Sequence, residues 1–217
     1  MSDIILNPDK GLGIPIKTTA AKDAITSPAT GSLVYDSDQG VVNQYTGSAW
    51  QGVLTTAGVP ASAMPAGSVI QVVQSVYDTR SSTTSTSWAT IFNASITPTS
   101  SSSKILVMVS FSGSHINNYS GLVRVLRNST PIGGGALAGL YEQNVWFNIR
   151  TAFDFHVATY AANHLDTPTT SSTITYTVQM QATGGTVFYI NRTVNDSGTQ
   201  TYDSPVASSI TLMEIAG

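Results

Sequence analysis

The amino-acid sequence predicts an all-β protein, an antiparallel sandwich or jelly roll that follows a small β-meander and an irregular N-terminal segment. Short β-branched runs recur along most of the 217 residues, and no stretch keeps a helical period. Turn-forming Ser, Thr, Gly and Asn residues separate these runs, as is typical of sandwiches and jelly rolls. Because 41% of the residues are hydrophobic and only 10% are charged, we expect a buried core rather than disorder.

The N-terminal part divides into two stretches of different composition. Residues 1–30 are interrupted by Gly and Pro and are expected to be irregular, with one short helical turn over residues 19–25. Residues 31–53 contain three short β-type runs separated by Asp, Ser and Gly, a pattern that predicts a three-stranded meander. So small a sheet cannot bury its apolar face alone, and we therefore expect it to dock on another chain. The predicted docking residues are Leu33, Tyr35, Tyr45 and Trp50.

A stretch rich in Thr, Ala, Gly and Pro over residues 54–67 predicts a linker, which divides the chain into domains 1–60 and 61–217. Strand signals then follow to the C-terminus, at residues 69–73, 105–111, 122–126, 145–149, 152–157, 173–180, 187–190 and 209–215. Residues 173–180 alternate strictly between apolar and polar, which predicts a half-buried strand with Ile174, Tyr176, Val178 and Met180 facing inward.

Residues 105–111 are apolar at almost every position, so both faces of this strand should be covered. A two-layer sandwich covers only one face of each sheet, and a neighbouring subunit is the expected cover for the other. The aromatic residues Trp146, Phe147, Phe153 and Phe155 add apolar area beyond the needs of one core. Closed cyclic symmetry buries such a patch in every copy.

The residues that carry chemistry are few, and they predict neither a catalytic site nor a metal site nor a cofactor. The histidines are His115, His156 and His164; His156 is placed in a strand next to Asp154, and too few ligands accompany any of them for a usual metal site. A three-fold axis could still gather three copies of one histidine. There is no nucleophile elbow and no phosphate-binding loop, and the acidic residues suggest no facing pair.

Charge and hydropathy exclude two classes of partner. A net charge of −3 leaves no basic patch for nucleic acid. No window approaches the length of an apolar membrane span, and the first residues lack the pattern of a secretory signal. Asp36 and Asp38 lie in a loop too short for a calcium-binding EF-hand, so a plain turn is expected there.

Two parts of the sequence resemble known phage proteins. Residues 28–50, with a Gly, an apolar run, an acidic turn, then Tyr45 and Trp50, resemble a short module recurrent in phage fibre proteins. Residues 65–217 resemble a jelly-roll domain of tailed-phage (cyanophage-like) virion proteins, whose fold is similar to the trimeric tumour-necrosis-factor jelly roll. The matching segments are residues 65–73, 96–98, 103–107, 165–168, 173–176, 189–192 and 210–215.

The resemblance implies a jelly roll, a homotrimer and a structural, non-enzymatic role in a virion that is assembled in the host cytoplasm with other virion proteins. Two functions stay open: a tail-associated fibre that contacts the host surface, and a capsid decoration (cement) or head-fibre protein. For the fibre, the candidate glycan contacts are Asn117, Asn118, Tyr119 and Tyr202, because aromatic faces stack on sugars and amides bond to hydroxyl groups.

Overall fold

A computed structural model of the chain describes residues 6–7, 11–53, 64–115, 119–135, 144–199 and 205–217, with the backbone alone described for residues 6, 7, 11 and 12. The chain forms two compact units, Met1–Met64 and Pro65–Gly217. No helix among the described residues is long and apolar enough to cross a membrane.

The first unit is a small sheet with one short helix. Its elements are β1 (Leu6–Asn7), β2 (Gly11–Leu12), β3 (Ile16–Lys17), α1 (Thr19–Asp23), β4 (Leu33–Asp36), β5 (Val41–Tyr45) and β6 (Trp50–Gly52). Strands β4, β5 and β6 form an antiparallel meander, and the predicted meander and helical turn are confirmed. The irregular segment expected before them is corrected in part, because β1 pairs with β2 and β3 joins the sheet parallel to β4.

In the described part of the second unit, the regular elements are strands and a 3-10 turn at Thr183–Gly185. The strands described in it are β7 (Val69–Tyr77), β8 (Ser81–Thr83), β9 (Ala89–Ile96), β10 (Lys104–Ser114), β11 (Gly121–Arg127), β12 (Thr130–Ile132), β13 (Val145–Ile149), β14 (Ala158–Asp166), β15 (Ile174–Ala182), β16 (Phe188–Ile190) and β17 (Ser208–Ile215).

The eight longer strands form two antiparallel sheets. The first sheet has the order β7-β17-β10-β14, and β16 and β8 extend it beside the end of β10. The second has the order β9-β15-β11-β13, with β12 beside the other end of β11. The order in which successive strands of the chain are assigned to the two sheets is that of a jelly roll. The predicted all-β sandwich is therefore confirmed.

One hydrophobic core fills the space between the sheets. Strand β10 contributes Ile105, Val107, Val109 and Phe111, each at most 1% exposed. From β15 come Ile174, Tyr176, Val178 and Met180, all buried, so the alternation predicted for this strand is confirmed. Because this core is made of residues of the second unit alone, the sandwich has what it needs to fold by itself.

The prediction of a strand at residues 152–157 is wrong. These residues form a loop in which the amide of His156 donates to the carbonyl of Phe153 over 3.2 Å, and Phe153 and Phe155 are 72% and 54% exposed. The strand begins only at Ala158 and runs antiparallel to β10 over its whole length. Its sequence has three Ala and one Asn, residues of low β-propensity, and pairing with β10 rather than local preference makes it a strand.

Candidate functional site

The first unit is held together around one buried carboxylate. Asp36 is 0% exposed and forms an ion pair of 3.0 Å with Lys22, which is itself buried. The hydroxyl group of Thr19 donates to Asp36, as do the amides of Asp38 and Gln39. Burial raises the pKa of Asp36, but these donors outweigh it and hold the pKa below its usual value. The carboxylate predicted to lie in a plain turn therefore ties α1 to the sheet.

The four predicted docking residues lie on opposite faces of this sheet. Leu33 and Tyr35 point away from α1, on the same face as Ile16 and Val42, which pair with Tyr35 across the sheet. Ile16 is 72% exposed and Leu33 37%. We call Ile16, Leu33, Tyr35 and Val42 the outer face of the first unit. The sequence patterns did not single out Ile16 and Val42, although their alternation with Lys17 and Val41 carries the signal.

Tyr45 and Trp50 lie on the face that also carries the buried Val34, Val41 and Asn43. Their ring centroids are 5.4 Å apart and both side chains are half-buried. These two aromatic residues therefore pair with each other within the unit, and only the other two predicted residues belong to the outer face.

The outer surface of the first sheet of the sandwich carries an apolar row near the end of the sheet at which β7 begins. Val72, Met213, Leu106 and Leu165 lie side by side on four neighbouring strands and form one apolar row. Val72 is 55% and Leu165 49% exposed, so the row is open in the single chain. Met108, 40% exposed, lies two residues from Leu106 on β10, and Val76, 58% exposed, lies beyond Gln74 on β7. We call these six residues the apolar face of the sandwich.

The outer surface of the second sheet is polar instead. Paired hydroxyl groups link its strands, as between Ser95 and Thr175 at 2.8 Å. Further along, the Arg124 guanidinium donates to the Gln179 side chain over 2.8 and 3.0 Å and lies 4.2 Å from the centre of the Trp88 ring. An exposed apolar row of this kind is typical of an interaction surface, whereas the polar second surface is not.

The two ends of the sandwich differ in their connections. Residues 65–68 lead into β7 at one end, where the amide of Gly67 donates to the carbonyl of Ala216 over 2.8 Å. We call this the linker end. The opposite end, which we call the distal end, lies about 30 Å away along strands of nine residues. Among the described residues, it carries the connecting segments 78–80, 84–88, 115, 119–120, 150–157, 183–187, 191–199 and 205–207.

Of the four candidate glycan contacts, the structure describes Tyr119, which lies at the distal end. Tyr119 is 43% exposed and lies against Gly184. Asn117, Asn118 and Tyr202 lie outside the described residues. The structure therefore describes the side chain of one of the four predicted residues, and the prediction of a shared contact surface stays a prediction.

Ion pairs and amide contacts hold the described part of the distal end in place. The Asp196 carboxylate lies 2.8 Å from the Arg80 guanidinium and 3.3 Å from that of Arg192. The amide of Asn195 donates to the carbonyl of Asp154 over 3.2 Å. These contacts join three connections, so that the distal end is a cross-linked surface and not a set of independent loops.

The three histidines lie in separate environments and do not form a cluster. His115 is 1% exposed and its Nε2 lies 2.8 Å from the hydroxyl group of Thr186. His164 lies edge-on to Trp146 on β14, and His156 is in the exposed loop rather than in the strand predicted for it. Among the described residues there is no group of three or more His, Asp or Glu side chains that could hold a metal ion.

Two buried carboxylates of the sandwich have structural partners. Asp166 accepts hydrogen bonds from Arg127 at 2.9 Å and from the Tyr176 hydroxyl group at 2.7 Å, and so bridges the two sheets. Burial, together with the neighbouring Asp166 carboxylate, raises the pKa of Tyr176 far above its usual range. Glu214 is 0% exposed and accepts from the Gln71 side chain and from the Thr99 amide and hydroxyl groups. Neither carboxylate faces an open cleft, and their contacts hold strands together.

The architecture thus defines a class of protein, an all-β structural protein with an exposed apolar surface in each of its two units. Residues 2–69 match the family model described as "Phage tail like trimerisation region". The match covers the first unit and the linker, and it supports a trimeric, phage tail-associated structural protein. No curated protein sequence matches the chain.

Proposed function

We propose that this chain is a trimeric tail-associated fibre protein that attaches to the virion through its first unit and contacts the host surface through the distal end of its sandwich. The observation that carries the proposal is the match of residues 2–69 to a phage tail-like trimerisation region. We further propose that the protein is not an enzyme and that its partners are two further copies of itself, other virion proteins and a host-surface glycan.

The sandwich supports a role in contact. The match ends at residue 69, and β7 begins there at the linker end. The loops of the distal end therefore project at the far side of the sandwich from the trimerisation region's last residue. A rigid scaffold that presents loops at one end is the usual arrangement of binding surfaces.

The apolar face of the sandwich supports assembly. A trimer formed by the first units brings three sandwiches to high local concentration, at which even weak apolar contacts form. The outer face of the first unit, with Ile16 and Leu33 exposed, is the surface proposed for the trimer contact there.

Two measurements on the encoding phage test the proposal. Purified protein is added to host cells before the phage, and gold-labelled antibodies against the sandwich are imaged on intact particles. We expect the protein to reduce phage adsorption and the label to lie on the tail. Label on the head would instead favour the alternative, a capsid decoration or head-fibre protein. Release of sugar from host polysaccharide that one Asp or Glu substitution abolishes would refute the non-enzymatic part.

A further inference from the structure

We infer that the Tyr119 ring, which rests on Gly184, forms a stacking platform for an uncharged hexose of the host surface. The inference rests on the proposed function, since it gives the ligand class and the central residue of the host contact. It concerns a surface outside the region that the trimerisation model matches.

The ring of Tyr119 is supported from below by bare backbone. A Cβ atom added at Gly184 would overlap the Tyr119 ring, so the ring lies directly against the glycine. Gly184 and Gly185 have φ values of +64° and +68°, and the chain turns sharply here in a conformation that favours glycine. Tyr119 nevertheless stays 43% exposed. One part of the ring is therefore held while another remains accessible.

The two segments that build the platform are tied to each other. The amide of Ser120 donates to the Thr183 hydroxyl group over 2.8 Å, and the amide of Thr183 donates to the Ser120 carbonyl over 2.9 Å. The Thr186 hydroxyl group lies 2.8 Å from the buried His115 ring. These contacts order the platform before any ligand arrives, which lowers the entropic cost of binding.

The composition around the ring identifies the ligand class. Val187 is 36% exposed, and Gly184 and Gly185 are exposed. Segments 119–121 and 183–187 contain no Asp, Glu, Lys or Arg, so they offer no charge to an acidic sugar or a phosphate group. The apolar C–H face of a neutral hexose stacks on such a ring, whereas a protein partner needs about 800 Å² of surface per side.

Four variants of the full chain test the platform. Tyr119→Ala removes the ring and Tyr119→Phe keeps it. Gly184→Ala displaces the ring, and Gly185→Ala is its matched control, because a Cβ atom there meets nothing within 4 Å while the backbone penalty is the same. Thermal melting verifies that each variant folds. Binding is measured by saturation-transfer NMR with methyl β-D-galactoside and methyl β-D-glucoside, and by adsorption of labelled protein to host cells.

We expect Tyr119→Ala and Gly184→Ala to weaken binding of a hexoside and of cells by about tenfold or more, the loss typical of a central aromatic contact. Gly185→Ala should bind like the unaltered chain, and Tyr119→Phe, which keeps the ring, should bind better than Tyr119→Ala. Cell binding that Tyr119→Ala leaves unchanged, or cell binding without binding of either hexoside, would overturn the platform while leaving host contact intact. An unaltered chain that does not adsorb to host cells would overturn the proposed function itself, and the platform with it.

Discussion

Replacing Leu165 by lysine tests whether the apolar face of the sandwich lies between subunits. Leu165 is on β14 and is 49% exposed, so the substitution leaves the core of its own chain largely untouched. It places a charge at the end of the apolar row, beside Leu106, with which Leu165 pairs. If a second copy covers this row, the charge enters a contact that excludes water.

The expected size of the effect follows from the area that remains to be covered. Full burial of a leucine contributes about 1.5–3 kcal/mol, so covering the exposed half of Leu165 contributes about 1 kcal/mol per copy. Over the copies of a trimer this amounts to about 3 kcal/mol, or about a hundredfold in the association constant. Desolvation of the lysine adds to the loss, unless its long side chain reaches the solvent.

The assay uses residues 65–217 alone, which excludes the contribution of the trimerisation region. Sedimentation velocity at micromolar concentration should show association of the unaltered sandwich and mostly single chains for Leu165→Lys. Asn93→Lys is the matched control, since Asn93 is exposed on the outer surface of the second sheet and should tolerate the charge. An unaltered fragment that sediments as one chain, or equal association of both variants, would refute the reasoning.

Two further predictions concern the first unit. Asp36→Asn removes the partner of the buried Lys22 and should weaken the trimer of the full chain, as measured by sedimentation. Asp23 is an exposed carboxylate 3.6 Å from the same lysine, and Asp23→Asn should leave the trimer unchanged. Equal behaviour of the two variants would contradict the role of Asp36. Deletion of residues 1–53 should leave a folded sandwich by circular dichroism that no longer joins phage particles, and a truncated chain that is still incorporated would place the attachment in the sandwich.

The alternation of polar and apolar residues predicted much of the fold. Strand β15 was found because each inward side chain is apolar and each outward one is polar, and the core confirms that pattern. Strand β14 was missed because its outward residues include Ala161 and Asn163, and pairing with β10 overrides their weak preference. Local pattern also placed residues 152–157 in a strand, although two exposed phenylalanines there belong to a loop.

The candidate surfaces were less predictable than the strands. The apolar row combines Val72, Met213, Leu106 and Leu165 from distant parts of the sequence, and only the strand order β7-β17-β10-β14 brings them together. Tyr119 was identified from the sequence as a contact residue, but the support that Gly184 gives it requires the neighbouring loop to be placed. Sequence pattern assigns a side chain to one face of a strand, whereas a surface depends on the order of the strands.

The buried Glu214 predicts how the stability of the sandwich depends on pH. Burial raises the pKa of Glu214, but donors from Gln71 and Thr99 outweigh it, so the folded-state pKa lies below the usual value. A carboxylate with a lowered pKa stabilises the fold above its unfolded-state pKa, and this contribution is lost as the pH falls through the folded-state pKa.

Glu214→Gln presents an NH₂ group to one of those donors and should lower the free energy of unfolding by about 2–3 kcal/mol at neutral pH. Urea unfolding at fixed protein concentration should show this difference shrinking as the pH falls below about 4.3, the ordinary pKa of a glutamate in the unfolded chain. Asp78→Asn, at an exposed carboxylate, is the control and should differ little from the unaltered chain throughout. A difference between Glu214→Gln and the unaltered chain that stays constant down to about pH 3 would show that shape rather than charge makes Glu214 necessary at the linker end.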